Sequence, residues 1–499
     1  MGRGFESLHA CHLFKNLAGH FIPLPLHRWN LCGSPRTLRR AAQTSFCDVC
    51  DQVGGSCAFE VGHFASQIGL SNSAAREKGK VPPRSEDAGR LAGLSLEQLR
   101  DLYRHYLFED FLPFMDKYAI DHQYGGFMCN TNRDGTNLTG NKDAWYEGRG
   151  IWVYSFLYNN FRRNEKHLEI ARKSLQFILR LSPSGEDALW PRSFTREGKP
   201  LTPPATDIYG DLFIAEGLAE YALASGEWKY WDLAKRIILK CLRIYDRPDY
   251  EPSIVASYNG PKPFPFPGAR IQGVSMVLIR TISQMLEMRP DEELEKIISR
   301  CTEVVLHAHH NPEFCLNNEL LNHDFSRPCN ELAQFVYTGH SIETFWMLLY
   351  EAARTKNKSI FETGAQRFRR HLEVAWDGVY GGVFRSLNNV DQNLWSLDKV
   401  LWAQEEALNG ALFIAEQTGS QWARDMFGKV FTHVQDKYPL KRHSYPLWIS
   451  TADRKVTFEP HATRVENYHH PRHLMLSLLT IERMIRRRGT APAPSPEPT

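Results

Sequence analysis

Two histidine-containing segments carry the residue types best suited to acid–base chemistry. In the first, Tyr337–Trp346, His340 and Glu343 stand among apolar side chains. Residues three apart in a helix project from the same face, so the carboxylate can hold and polarise the imidazole. The same pattern also fits the start of a helix with a His–Glu pair on its surface.

The second segment, Tyr468–His473, carries His469, His470 and His473 ahead of an apolar helical stretch. Consecutive helical residues project in different directions, whereas zinc ligands take spaced positions, as in an H-E-x-x-H helix, which the sequence lacks. We therefore predict no metal site here. Histidines on a solvated surface are the alternative interpretation.

A third segment, Trp402–Leu408, contains Gln404 and the adjacent acids Glu405 and Glu406. Two acidic residues in a row on a helix usually belong to a solvated face, so this pattern alone favours a structural role over a functional one.

Arg149 lies between Trp145 and Trp152 and is the remaining candidate. A buried arginine suits the recognition of anions or hydroxyl groups. An ion pair with Glu147 or Asp143 is the alternative.

The helices that position these residues can be predicted from the spacing of apolar residues. Apolar residues recur at spacings of three and four through twelve stretches: 95–119, 142–162, 166–181, 207–224, 227–245, 270–288, 291–308, 339–355, 358–374, 397–417, 420–437 and 467–487. Ser95 and Gln98 form a capping-box pattern at the first start. Twelve helices, taken as six pairs, fit either an open solenoid or a closed toroid.

A glycine-containing joint occurs twice, as Asp121–Phe127 and as Asp377–Val383. Paired glycines allow backbone turns that other residues disfavour. Short strand signals follow at Phe127–Asn130 and Tyr380–Phe384. The repetition indicates a repeat architecture.

Composition excludes several classes of protein. The chain has 499 residues, 42% hydrophobic and 23% charged, with a net charge of +3, so neither a nucleic-acid footprint nor a disordered chain is indicated. No apolar run is long enough to cross a membrane.

The sequence has no P-loop, Gly-rich nucleotide loop or G-x-S-x-G elbow, and we predict no cofactor. Cys47 and Cys50 form a C-x-x-C without a second pair, which disfavours zinc.

We predict three regions. Residues 1–92 form a poorly ordered extension, and one hypothesis is a translation start assigned too early. Residues 93–488 form the helical catalytic domain, and residues 489–499 are a disordered Pro-rich tail.

The sequence from about residue 96 to 487 resembles the N-acylglucosamine 2-epimerase family, which also contains cellobiose 2-epimerases, mannose isomerases and sulfoquinovose isomerases. Gly339–Trp346 is similar to the family's G-H-x-x-E-x-x-W, Tyr468–Arg472 to its closing Y/F-H-x-x-R, and Gly148–Tyr154 to its G/S-R-x-x-W-x-[YF]. The resemblance implies an all-α (α/α)6 barrel with short β-hairpin loops. It also implies two acid/base histidines, His340 and His469, with Arg149 as a sugar-oxygen ligand.

These motifs do not select one subgroup of the family. In acetamido-sugar epimerases the corresponding helix resembles W-P-H-S-E-A, and Gln404 replaces the histidine of that motif. The segment Trp402–Ala407 is therefore closer to the W-V-Q-A-E-A of cellobiose epimerases and mannose isomerases. Cellobiose epimerases also carry a histidine in the sixth helix, where the best alignment of this sequence places Thr281.

The resemblance implies a metal-independent 2-epimerase or aldose–ketose isomerase that acts on a mono- or disaccharide. His340 and His469 would transfer a proton at C2 of the open-chain sugar through an enediolate. Arg149 would stabilise the oxyanion and Glu343 would orient His340. The other sugar-binding candidates are Trp402, Gln404, Glu406 and Arg472. We expect a cytoplasmic monomer or homodimer that binds neither nucleic acid nor membrane.

Two alternatives remain open. A glycoside hydrolase or lyase on the same toroid would use two carboxylates, Glu343 and Glu406. A non-catalytic homologue would bind sugar without exchanging its C2 proton.

Overall fold

A computed structural model describes residues 89–130, 137, 139–252, 266–440, 447–448, 465 and 467–489. The chain divides into two compact units, residues 1–74 and 75–499, and all the described residues belong to the second. The C-x-x-C of Cys47 and Cys50, most of the predicted extension and the predicted tail from 490 onwards lie outside the described residues. The description begins at Gly89, a few residues before the predicted boundary at 93.

Besides a short 3₁₀ helix at Glu331–Gln334, the described residues contain twelve longer helical runs, which coincide with the twelve predicted stretches to within a few residues. The first run, α1, is continuous through Leu96–His105, Tyr106–Phe111, Leu112–Phe114 and Met115–Ala119, of which the second and fourth parts are π-helical. The others are α2 Ala144–Asn160, α3 Glu165–Arg180, α4 Tyr209–Ser225, α5 Lys229–Tyr245, α6 Gln272–Met288, α7 Glu292–Glu303 with a π-helical end Val304–Ala308, α8 Thr338–Arg354, α9 Lys358–Ala375, α10 Leu401–Thr418, α11 Gln421–Lys437 and α12 His469–Gly489.

The helices form two concentric rings. The even-numbered helices α2 to α12 each contact the next even-numbered helix, and α12 returns to contact α2, which closes an inner ring. Each odd-numbered helix packs outside an inner one, with α1 against α12. This is the predicted (α/α)6 barrel, and closure excludes the open solenoid. Among the described residues, no helix combines the length and apolar character needed to cross a membrane.

Burial explains which helices are inside. Along α10 nearly every residue from Leu401 to Glu416 is buried, because neighbouring helices pack against it all round, and its buried residues include the polar Gln404, Glu405 and Glu406. The outer α5 instead buries one stripe, which includes Trp231, Ile238 and Cys241. The capping box that opens α1 is present, with the backbone N–H of Gln98 donating to Ser95 Oγ at 3.1 Å.

Short antiparallel pairs of strands connect the helices at their ends. The pairs among the described residues are β1 Arg90–Leu91 with β2 Leu94–Ser95, β3 Lys142–Asp143 with β4 Ser193–Phe194, β5 Arg270–Ile271 with β8 Leu320–Leu321, β6 His310–Asn311 with β7 Leu316–Asn317, β9 Ser386–Asn389 with β10 Leu394–Ser396, and β11 Pro439–Leu440 with β12 Leu447–Trp448. The strands predicted at Phe127–Asn130 and Tyr380–Phe384 are wrong. Phe127 and Val383 instead make single β-bridges to the ends of the preceding helices, because each glycine turn folds back at once.

The repeated joint has the same construction in both halves of the chain. Gly125 and Gly126 have φ of +79° and +91°, and Gly381 and Gly382 have φ of +73° and +81°. Only glycine adopts these conformations without strain, which confirms the prediction of paired-glycine turns. A buried lysine supports each turn: Lys142 pairs with Asp121 at 3.0 Å, and Lys399 with Asp377 at 2.9 Å.

One side chain in each half then fixes the turn to an inner helix. Glu147 of α2 accepts the N–H of Phe127 at 2.8 Å, and Gln404 of α10 accepts the N–H of Val383 at 2.7 Å. Burial raises the pKa of Glu147 to about 7, against the opposing effects of the Phe127 N–H and Lys142. The two halves therefore use a titratable and a non-titratable side chain for the same contact.

Glu147→Gln is expected to flatten the dependence of stability on pH. The pKa of folded Glu147 lies above that of the unfolded chain, so its contribution to the stability of the wild type is lost as pH rises from about 5 to 8. The loss is about 3 kcal/mol for a shift of this size. Urea unfolding at both pH values should show the variant gaining stability over wild type at pH 8 but not at pH 5. The reverse exchange, Gln404→Glu, should add the same pH dependence; parallel curves for wild type and Glu147→Gln would contradict the assignment.

Candidate active site

Most of the predicted functional residues meet at one end of the barrel. The first turns of neighbouring inner helices pack together around a common mouth, since a Cβ on Gly210 of α4 would lie 3.3 Å from Ala144 of α2 and one on Gly273 of α6 would lie 2.8 Å from the Tyr209 hydroxyl of α4. A Cβ on Gly339 of α8 would lie 2.6 Å from the Trp402 indole of α10, and Trp402 stacks on His469 of α12. Tyr468, next to His469, lies against Arg149 of α2. Side chains far apart in sequence therefore share one site.

His340 is held by Glu319. Its Nδ1 lies 2.8 Å from Glu319 Oε1, and the Tyr337 ring packs 4.0 Å from the imidazole. A carboxylate only accepts, so Nδ1 carries the proton and Nε2 is left as the basic atom. Glu343, predicted to orient His340, lies deeper in the barrel and bonds to Arg472 instead. Glu319 comes from the segment between β7 and β8, twenty-one residues before His340, and no periodic pattern links the two.

His469 and His340 contact the same indole. His469 stacks on Trp402 with centroids 5.4 Å apart and an interplanar angle of 28°, and His340 lies 5.9 Å from it at 45°. His469 Nε2 also lies 3.8 Å from Glu343 Oε1, near enough for electrostatic support. Two imidazoles from different helices thus flank one aromatic wall.

A buried guanidinium lies beneath the histidines. Arg472 Nη2 donates to Glu343 Oε1 at 2.5 Å and to Glu406 Oε1 at 2.7 Å, and all three residues are almost fully buried. Burial raises the pKa of Glu343, but the charges of Arg472 and His469 outweigh it and leave that pKa below its usual value. The pKa of Glu406 is raised by burial and by the nearby Glu343 carboxylate, against the opposing charge of Arg472.

The same network reaches a residue that the sequence reasoning missed. Arg472 Nη1 donates to the Tyr468 hydroxyl at 3.0 Å, and that hydroxyl donates to Glu216 of α4 at 2.8 Å. Glu216 is one of three acids, with Asp211 and Glu220, in a helix whose other residues are mostly apolar, which is the signal that could have identified it. On the other side, Glu406 Oε2 accepts the Trp346 indole N–H at 2.5 Å.

Arg149 is surrounded by aromatic faces, as predicted for a cation between aromatics. Its guanidinium carbon lies 4.0 Å from the Phe213 ring centroid, 4.7 Å from that of Tyr468 and 5.4 Å from that of Trp145. Glu147, one candidate for an ion pair, uses its carboxylate on Phe127 and on the Ser174 hydroxyl.

The two residues used to assign a subgroup lie outside the mouth. The Gln404 amide bonds to the backbone of Val383 through both its oxygen and its nitrogen and is fully buried. Thr281 lies in the third turn of α6, whereas Gly273 is the residue of that helix beside His340. A Cβ on Gly273 would lie 3.0 Å from His340 Nδ1. Thr281 therefore lies about two turns further from His340 along α6 than Gly273 does, which the alignment of the sequence does not reveal.

The histidine cluster at the start of α12 divides among three environments. His470 Nδ1 bonds to Glu405, and His473 bonds to Asn409 at 2.9 Å, so only His469 of the three joins the mouth. Within the described chain, the atoms best placed for a metal belong to Glu343, Glu406 and His469, whose candidate ligand atoms lie within 4.8 Å of one another. The Arg472 guanidinium already bridges both carboxylates, and a cation there would have to displace it.

The fold is a closed (α/α)6 barrel, and the proteins to which the chain is similar place it in the class of carbohydrate isomerases. The sequence profile of the family described as N-acylglucosamine 2-epimerase (GlcNAc 2-epimerase) matches residues 125–471. The chain therefore belongs to that family.

Individual relatives support the assignment. The N-acylglucosamine 2-epimerase of Rattus norvegicus is 24% identical over 409 residues, which cover 76% of this chain and 91% of the relative. The cellobiose 2-epimerase of Dictyoglomus turgidum is 23% identical over 64% of this chain and 82% of its own. Among solved structures, the cellobiose 2-epimerase of Bacillus thermoamylovorans has a TM-score of 0.66 at 15% identity, covering 78% of this chain and all of that one. A D-mannose isomerase has a TM-score of 0.63 at 15% identity, covering 77% of this chain and 98% of that one.

Arg472→Met is expected to destabilise the protein by about 3–5 kcal/mol, because it leaves buried carboxylates without their counter-charge. Adding Glu343→Gln and Glu406→Gln to Arg472→Met should restore most of that stability, since the remaining side chains are neutral. Urea unfolding of the single and triple variants measures both effects. A triple variant no more stable than the single one would show that the charge pairing is not what stabilises this region.

Proposed function

We propose that the protein is a sugar 2-epimerase or aldose–ketose isomerase that transfers a proton at C2 between His340 and His469. The observation that carries the proposal is the placement of both imidazoles against Trp402 at the mouth of the barrel, with His340 Nδ1 bonded to Glu319. Family membership supports the coarser assignment to sugar epimerases.

The reaction begins with the open-chain sugar, whose aldehyde acidifies the proton on C2. One histidine removes that proton through an unprotonated imidazole nitrogen, which for His340 is Nε2. In an epimerase, the other histidine then protonates C2 from the opposite face. In an isomerase, the proton is delivered to C1 instead, and the sugar leaves as a ketose.

Positive charge at the mouth favours the enediolate between these steps. Arg149 lies at the mouth among aromatic rings, where low polarity strengthens its field. The amino ends of six inner helices also converge there, each equivalent to about half a positive charge. Such preorganised charge stabilises an anion that develops during reaction more than it stabilises a neutral sugar.

The remaining candidates take supporting roles. Trp402 offers an aromatic face to the sugar, and Glu343 supports His469 from 3.8 Å. Arg472 holds Glu343 and Glu406 in place beneath the substrate. The bonds of the Gln404 amide to Val383 favour a role in supporting the glycine turn over contact with sugar.

The hydrolase alternative fits this geometry poorly. Hydrolytic carboxylates need separate roles as acid and as base or nucleophile, with the substrate between them. Glu343 and Glu406 instead bind the same nitrogen of Arg472. Release of reducing sugar from a glycan would nevertheless revive this alternative.

Replacement of either histidine should abolish exchange at C2. His340→Ala and His469→Ala are each expected to slow incorporation of deuterium from heavy water by at least about a hundredfold, the usual contribution of a positioned acid or base. NMR of a panel containing N-acetylglucosamine, N-acetylmannosamine, glucose, mannose, fructose and cellobiose identifies the sugar. Deuterium at C2 with inversion indicates an epimerase, and ketose formation indicates an isomerase.

His307→Ala is the matched control, because His307 is largely exposed on an outer helix and should leave exchange unchanged. Wild-type exchange in either His340→Ala or His469→Ala would remove that histidine from the mechanism. Tight sugar binding by wild-type protein without exchange would identify a binding protein.

A further inference from the structure

Apart from the imidazoles of His340 and His469 at the mouth, the barrel contains the fully buried imidazole of His371. His371 belongs to the outer helix α9, is fully buried, and packs 5.1 Å from the Phe345 ring of α8, the helix that carries His340. It contacts none of the residues assigned above to the reaction. Its bonds nevertheless lead towards His340.

The hydrogen bonds of His371 fix its tautomer. Nδ1 lies 2.8 Å from the carbonyl oxygen of Arg367, which can only accept, so the proton is on Nδ1. Nε2 is therefore bare, and it accepts the backbone N–H of Asn317 at 2.9 Å. Burial lowers the pKa of His371 to about 3, which keeps the ring neutral and able to accept this bond at ordinary pH.

A second histidine holds the next residue. His309 Nδ1 donates to the carbonyl oxygen of Asn318 at 2.8 Å, and the N–H of Asn318 donates back to the carbonyl oxygen of His309 at 2.8 Å. Burial lowers the pKa of His309 to about 4, so this ring is also neutral. One histidine thus accepts from residue 317 and the other donates to residue 318.

Glu319 follows directly and is fixed by backbone bonds on both sides. Its N–H donates to the Phe335 carbonyl at 3.1 Å, and its carbonyl accepts the Gln272 N–H at 2.9 Å. These bonds fix the backbone of Glu319 but not the orientation of its side chain, whose carboxylate bonds His340. The direction of the Glu319 carboxylate therefore depends on its own backbone bonds together with the positions at which residues 317 and 318 are held.

We propose that His371 and His309, together termed the histidine clip, are positioning residues that aim Glu319 at His340 from outside the inner ring. Without the acceptor on His371, the buried N–H of Asn317 must find another partner, and the segment has to move to do so. A displacement of about 1 Å is enough to break a 2.8 Å bond and to release the His340 tautomer. The catalytic part of this inference rests on the proposed function.

The test compares two replacements of His371 with one control. His371→Phe keeps a ring against Phe345 but removes the acceptor, and it should lower kcat about tenfold or more with KM changed less than twofold. His371→Gln places an amide oxygen near the position of Nε2 and should restore kcat to within about threefold of wild type. His433→Phe is the control, since His433 is buried on outer helix α11 against Trp376 and does not contact the clip.

A double-mutant cycle separates positioning from general destabilisation. If His371 acts through Glu319, adding His371→Phe to Glu319→Gln should cost little further kcat. Equal losses of kcat in both backgrounds, or an equal loss in His433→Phe, would overturn the proposal.

A readout independent of turnover distinguishes failure of the clip from failure of the proposed function. The ¹⁵N shifts of the His340 ring should report an Nδ1–H tautomer in wild type and a mixture of tautomers in His371→Phe. An unchanged His340 tautomer in His371→Phe overturns the clip even if sugars are exchanged. A wild-type protein that exchanges no sugar on the panel overturns the proposed function, while the tautomer measurement still decides the clip.

Discussion

The burial of one guanidinium ties the inner ring together. Arg472 of α12 binds Glu343 of α8 and Glu406 of α10, and through Tyr468 it reaches Glu216 of α4. Because unpaired charges are costly in a dry interior, these four helices can pack closely only when all the partners are present. The last helix of the chain therefore closes the ring by a charge network as well as by apolar contact, and the same network forms the floor of the site.

The mouth is the consequence of that closed ring. Parallel inner helices bring six amino ends to one side, where backbone N–H groups and the helix dipoles create a region suited to negative charge. His340 and His469 occupy the first turns of α8 and α12, and Arg149 lies in the second turn of α2. The barrel thus supplies both the position of each group and the electrostatic setting in which a sugar anion can form.

The two glycine joints show how a repeated element can carry different chemistry. Each joint has a buried Asp–Lys pair and a side chain that caps the turn, but that side chain is Glu147 in one half and Gln404 in the other. The backbone requires an acceptor in both places, and both side chains supply one. Only Glu147 brings a proton that titrates, so the two halves respond differently to pH.

Periodicity and motif determined a large part of this protein from the sequence. The twelve helices were predictable because apolar spacing reflects burial directly, and the paired glycines were predictable because positive φ restricts the choice of residue. The order of Arg149, His340 and His469 identified the family. These features depend on local backbone geometry or on short runs of sequence.

Tertiary structure decided which groups meet. Glu319, not Glu343, bonds His340, because a segment between two short strands brings it across twenty-one residues to the mouth. Glu216 joins Arg472 only through Tyr468, and Gln404 turns away to bind the backbone of Val383. Such contacts carry no periodic signal, since they arise when the ring closes and each buried polar group must find a partner from a distant part of the chain.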